Sequence, residues 1–128
     1  MNVLGKKIFD RTQDLLQRSM DIRTSRQRVL SSNIANSETP DFAPRDIPFE
    51  KIMERTIALQ SAIGLKRTHE KHLPGGFPSE IDTEKSGEAV NIDQEMAKLA
   101  ENNLRFQADV QALIRKLEGL KYAIEGGK

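Results

Sequence analysis

Counted from Ile92 in alternating steps of four and three residues, the chain sets Ile92, Met96, Leu99, Asn103, Phe106, Val110, Leu113, Leu117, Leu120 and Ile124 on one line. Only Asn103 interrupts an otherwise apolar seam. With Ala89 just upstream it runs for about four and a half heptads, near ~50 Å at ~1.5 Å per residue. A 3.5-residue repeat drifts around a straight α-helix, so a sustained one predicts a partner wound on left-handedly. At about 25 cal/mol per Å² of apolar surface, leaving several such side chains half covered forfeits several kcal/mol, comparable with the whole stability of a small domain. What covers this seam is the first question the sequence poses.

The start and stop of the helix are written beside it. Asn91 with Gln94 three residues on resembles a capping arrangement, Asp93 and Glu95 suit the positive helix end, and Gly126-Gly127 closes the other end. A second long helix is predicted from about Lys6 to Asn36, a stretch with neither proline nor glycine. There Ile8, Leu15, Ile22 and Val29 recur every seven residues, with Phe9, Leu16, Met20, Leu30 and Ile34 widening the stripe. Pro40 forbids continuation, and Asn36 is suited to a left-handed cap.

All five prolines fall between these helices, at 40, 44, 48, 74 and 78, so the middle is not uniformly helical. Pro48 suits the first turn of a short helix over 48–63, with Phe49, Ile52, Met53, Ile57 and Ile63 on one side and Gly64 as its stop. The rest, LKRTHEKHLPGGFPSEIDTEKSGEA, reads as loop with room for a brief extended piece. The expected fold is therefore all-α. Residues 1–36 form an amphipathic helix, 37–90 an irregular connection containing the short helix, and 91–128 the heptad helix. The two long helices lie antiparallel as a coiled-coil-like pair in a single elongated domain.

That pairing is predicted to be incomplete. Thr12, Ser19, Arg26 and Asn33 stand four positions after each stripe residue of the first helix, where a strong coiled coil wants a second apolar row. Burial within one chain then falls short, and further copies or relatives are expected alongside. Asn103 has two readings here: a register pin inside a multi-helix bundle, or a seam position facing solvent.

Composition supports an extended molecule over a thick globule. Five phenylalanines, one tyrosine and no tryptophan, with 30% charged residues, leave few large side chains for an interior. The net charge of +1 exerts no overall pull on nucleic acid or an anionic membrane. Arg18, Arg23, Arg26 and Arg28 on the first helix could track phosphates, but Asp21 and the apolar stripe share that helix and no helix-turn-helix is present. A coiled-coil adaptor or a nucleic-acid-binding helical protein is the alternative to a structural subunit.

Catalytic signals are weak. With no cysteine, disulfides and thiolate metal sites are excluded. His69 and His72 are three apart in a turn-rich stretch, whereas a helical zinc motif needs them four apart and a third ligand. No nucleophile elbow or glycine-rich phosphate loop occurs, and Glu80 with Asp82 reads as solubilising charge. The expectation is a non-enzyme without cofactor, metal or small-molecule substrate. No run approaches the ~20 apolar residues that span a bilayer. MNVLGKKIFDRTQDLL carries charges where a cleaved signal needs an unbroken apolar core, so none is expected.

The block RQRVLSSNIANSETPDFAPRDIPFEKIM resembles the N-terminal signature of bacterial flagellar rod and hook proteins, a helix ending in A-N-x-x-T-P followed by a turn and an A-R-D-like stretch. The block VNIDQEMAKLAENNLRFQADVQALIRKLEGLKYAI is similar to the C-terminal part of a short rod member of that family. The resemblance implies a non-enzymatic axial subunit whose terminal helices pair and then pack against neighbours around a central channel. It also implies export through the flagellar type III route without a cleaved signal, and a place in the rod that crosses the periplasm. Implied partners are copies of itself, other rod proteins, and the membrane-ring and export-gate proteins at the rod base. Asn33, Ile34, Ala35, Asn36, Thr39 and Pro40 match the signature, with Phe42, Arg45 and Asp46 after it; its implied work is to end the first helix and set the loop against the next subunit. The short gap between the two blocks points to the innermost rod. Where the family usually carries Gly-Tyr after Thr-Pro, this chain has Asp41-Phe42, which puts the shape of that turn in question.

Overall fold

The computed structural model describes residues 11–62 and 83–126. Three helices dominate: α1 (Arg11–Ala35), α2 (Phe49–Ala62) and α3 (Ile92–Ile124). The two-residue strands β1 (Arg45–Asp46) and β2 (Glu84–Lys85) pair antiparallel, Arg45 beside Lys85 and Asp46 beside Glu84. The fold is predominantly all-α, and α1 and α3 pack along one another.

Local chemistry explains the boundaries. Asn91 adopts extended dihedrals and its Oδ1 accepts the Gln94 N–H, satisfying one of the donors that a helix start leaves unpaired. At the far end the Glu125 N–H returns to the Lys121 carbonyl and Gly126 turns left-handed at φ 74°. Pro48 precedes α2, and its carbonyl accepts the Ile52 N–H, so the proline forms the helix entry without forfeiting a donor.

The end of α1 departs from expectation. Asn36 does not take the left-handed cap: its N–H and its side-chain amide both donate to the Ser32 carbonyl, prolonging the helical ladder. The chain then tightens through successive i to i+3 bonds, Ser37 to Ile34, Thr39 to Asn36 and Phe42 to Thr39. The positive φ falls on Asp41 at 58°, the position where the resembled signature has glycine. This chain therefore makes a left-handed turn there without glycine. Aspartate is one of the few side chains that tolerates this region, at a cost glycine does not bear.

A small apolar centre forms where α1, the loop and α2 meet. Ile22, Ile47 and Ile52 are buried together, with Val29, Phe49 and Met53 packed against them. Leu30 is also fully buried. Ile8 of the first stripe lies outside the described residues, as do Ile63, Gly64, His69, His72 and the acidic Glu80 and Asp82. Among the described residues no helix is long and apolar enough to cross a membrane.

Candidate functional site

The face between α1 and α3 is fastened by polar side chains. At one level Asp109 Oδ2 accepts hydrogen bonds from Ser19 Oγ and from Arg23 Nε, the latter at 2.9 Å. The Arg23 guanidinium also lies over the Phe49 ring, 3.9 Å from its centroid, so one side chain joins α1, α2 and α3. Two heptads along, Asn33 Nδ2 donates to Glu95 Oε2 at 2.7 Å and to the Arg45 carbonyl at 2.6 Å, while Asn33 Oδ1 accepts the Arg45 N–H. Glu95, only 4% exposed, is completed by Lys98 Nζ at 2.7 Å on its other oxygen.

These two contacts fix the pairing as antiparallel. Both lie fourteen residues apart on each helix, Ser19 to Asn33 and Asp109 to Glu95, so the register holds between them. Midway it brings Arg26 level with Asn102, which is 1% exposed and donates to the Arg23 carbonyl at 2.9 Å. By the same spacing Leu15, Ile22 and Val29 stand at the heights of Leu113, Phe106 and Leu99, while Ile22 and Val29 themselves pack on the loop and α2.

The rotation of α3 about its own axis follows. Its inner face carries Glu95, Asn102 and Asp109 together with the half-buried Leu99, Phe106, Leu113 and Leu120. The neighbouring line of the expected seam is turned outward: Met96 is 55% exposed, Leu117 47% and Ile124 77%. Ile92 is exposed with them, and Val110 is half-buried. Asn103 faces solvent, and the buried amide is its predecessor Asn102. On α1, Ile22 is fully buried and Leu15, Val29 and Ile34 are half-buried. Leu104 and Tyr122, both exposed and eighteen residues apart, share a further line that a seven-residue count does not pick out.

The polar row was missed because one helix alone favours the greasier line. A signal was present in both: polar residues also recur every seven positions, at Ser19, Arg26 and Asn33 and at Glu95, Asn102, Asp109 and Lys116. Of the residues expected to weaken the pair, Ser19 and Asn33 fasten it, and Arg26 binds the loop.

The signature loop is held to its own chain by the same helices. Arg26 grips Asp46 bidentately, Nε to Oδ1 at 2.7 Å and Nη2 to Oδ2 at 2.8 Å, and Asp46 Oδ1 also accepts the Ile47 N–H. Burial alone would push the Asp46 carboxyl up; the Arg26 hydrogen bonds and charge, the Ile47 N–H and the charge of Lys98 outweigh it and hold the carboxyl below its ordinary range. In turn the bond to Asp46, opposed by burial and helped by the charges of Asp46, Glu50 and Glu101, raises Arg26 above its usual value. Asn33 anchors the loop through the backbone of Arg45, whose side chain is exposed. Asn36 and Phe42 are half-buried, and Thr39 and Pro40 are exposed at the turn. Arg23 and Arg26 are thus engaged inside the molecule, which removes them from the phosphate-tracking face the sequence allowed.

Nothing in this arrangement converges on a reacting atom. Among the described residues no group of three or more His, Asp or Glu side chains is placed to hold a metal ion. What the geometry provides is a polar-fastened helix pair with an apolar line left facing out.

Comparison with known proteins gives this geometry its family. No family model matches the chain. It is 35% identical to the flagellar basal body rod protein FlgB of Aeromonas hydrophila, over 92% of this chain and 96% of that protein. It is 32% identical to the protein of the same name from Yersinia enterocolitica, over 87% and 91% of the two chains. The protein of that name from Bacillus subtilis is 25% identical over 94% and 98%. Matched with relatives above 30% identity over nearly the full length of both partners, the chain belongs to the flagellar basal body rod protein FlgB family.

Proposed function

We propose that this protein is a structural subunit of the flagellar basal-body rod, without catalytic activity, and that neighbouring axial subunits cover the outward line of α3. The similarity to rod proteins along nearly the whole chain supports the role. The exposed Ile92, Met96, Leu117 and Ile124 support the packing surface. Large apolar side chains lined up along one helix are the usual mark of a protein interface. In this reading residues 1–36, 37–90 and 91–128 act as a single elongated domain. The two stripes supply the packing residues, and the signature loop sets the approach of the next subunit.

The position in the machine is part of the proposal. The short span between the two signature blocks fits the proximal rod, within the periplasm, reached by the flagellar type III route without a cleaved signal. Partners are other copies, rod relatives, and the membrane-ring and export-gate proteins at the rod base. Neither a free adaptor nor a nucleic-acid binder draws support from the relatives' names, and the second is disfavoured by the internal engagement of Arg23 and Arg26. The test is to express a tagged copy in a strain deleted for its own rod protein and to isolate basal bodies. Restored swimming with the tag in the rod fraction is expected; swimming without it, or a tag absent from basal bodies, would overturn the assignment.

A further inference from the structure

The half-buried apolar line of α3 repeats every heptad, but its polar row does not. Slide α3 by seven residues and Leu99, Phe106, Leu113 and Leu120 replace one another, apolar for apolar, at the heights of Leu15, Ile22 and Val29, so this line hardly distinguishes the registers. The polar row reads Glu95, Asn102, Asp109, Lys116, and each member has a different chemistry. In the observed register Asn33 meets Glu95, the Arg23 carbonyl meets the Asn102 amide, and Ser19 with Arg23 meets Asp109. A slide in one direction brings Lys116 to the level of Ser19, against the cation of Arg23, and gives Asn33 the amide of Asn102 in place of a carboxylate. The opposite slide offers Arg23 only Asn102, and leaves Asn33 facing the chain ahead of the first residue of α3.

We infer that the Glu95–Asn102–Asp109 row is a register and rotation lock: it selects a single alignment of α3 on α1 and keeps the Met96–Leu117–Ile124 line facing out. The row is not placed there for strength. Asn102 Oδ1 is buried and accepts no hydrogen bond from the described residues, a cost an apolar side chain would not carry. A buried ion pair such as Arg23–Asp109, with its side chains 8% and 19% exposed, is often matched or bettered by apolar residues of similar size. What apolar residues lack is discrimination, since leucine on leucine is satisfied in every heptad register. The inference concerns the isolated chain and stands apart from the rod assignment.

Cysteine trapping reads the register directly, because the sequence has no cysteine of its own. Leu15→Cys with Leu113→Cys reports the observed alignment; Leu15→Cys with Leu120→Cys, or with Phe106→Cys, reports a slide of one heptad either way. With the polar row intact, the first pair should form its disulfide at least about tenfold faster than the other two, because only that alignment gives Asn33, the Asn102 amide and Asp109 the partners they have in the structure. The test then replaces the row by Ser19→Ala, Arg23→Met, Glu95→Leu, Asn102→Leu and Asp109→Leu together, which leaves Asn33 its bonds to the Arg45 backbone. Helicity and melting temperature should be kept or raised, while the three trapping rates should come within about threefold of one another, as apolar rows allow. A second variant, Asp109→Lys with Lys116→Asp, moves the carboxylate one heptad along and should make Leu15→Cys with Leu120→Cys the faster pair. Trapping confined to the observed alignment in both variants would place the register in the connecting segment and overturn the inference. Equal trapping of all three pairs with the row intact would do the same.

Discussion

Two lines of α3, set on either side of Leu99, Phe106 and Leu113, make an instructive contrast. One carries Glu95, Asn102 and Asp109 and is turned into the molecule; the other carries Met96, Val110, Leu117 and Ile124, and most of it faces water. Ranked by hydrophobicity their places would be exchanged. Burial here is decided by what α1 offers: Ser19, Arg23 and Asn33 face α3, and an apolar line would take from them the Asp109 and Glu95 carboxylates at a cost of several kcal/mol. The polar line satisfies them, and the apolar line is left over. A helix pair that puts its polar chemistry inside keeps its adhesive chemistry outside, which suits a subunit that must be joined by others.

The contrast can be broken first at its extremes. Ile22→Ala removes a side chain with no exposure from the small apolar centre and should cost about 2–5 kcal/mol, whereas Leu117→Ala on the outer line should stay within about 0.5 kcal/mol. Urea midpoints of the isolated variants measure both, and equal losses would dissolve the distinction between the two lines. Asn33→Ala comes next. It strips the Arg45 N–H and carbonyl of their partner and leaves Glu95 with Lys98 alone, an expected loss of about 2–3 kcal/mol by the same measurement.

The loop clamp adds a pH signature. Because the Asp46 carboxyl is held below its ordinary value in the folded state, its contribution is present above the unfolded pKa of about 4 and is lost as pH falls through the depressed folded value. Asp46→Asn should cost about 1–2 kcal/mol at neutral pH and nearly nothing at the acid end, discounted for a carboxyl that is 30% exposed. Melting temperature against pH for the two proteins should therefore converge below about pH 4. The smallest effect is at the turn. Asp41→Gly relieves a left-handed residue at φ 58° and should stabilise by up to about 1 kcal/mol, less the entropy glycine adds to the unfolded chain.

Much of the fold was legible because its signals are local. The proline-free first stripe, the Asn91 cap, the Pro48 entry and the Gly126 stop each act within one turn of where they stand, and α1, α2 and α3 lie where those signals put them. The left-handed cap was assigned to Asn36 and falls on Asp41, because Asn36 found a closer acceptor in the Ser32 carbonyl and deferred the turn. The rotation of α3 was not legible from α3. Its two candidate lines flank the same apolar line, Leu99, Phe106 and Leu113, and the choice between them belongs to the pair of helices, through Ser19, Arg23 and Asn33. The two-residue strand pair has the same character, since the partners of Arg45 and Asp46, Lys85 and Glu84, come from about forty residues further along the chain.

Accessibility along α3 tests the central contrast most directly. Single substitutions Met96→Cys, Leu117→Cys, Ile124→Cys and Asn102→Cys, in a chain with no other thiol, can be labelled both in the free protein and in isolated basal bodies. The account predicts rapid labelling of the first three in the free protein and protection of all three in basal bodies, with the fourth protected in both. Protection at Leu117 and Ile124 in the free protein, or undiminished labelling of them in basal bodies, would contradict it.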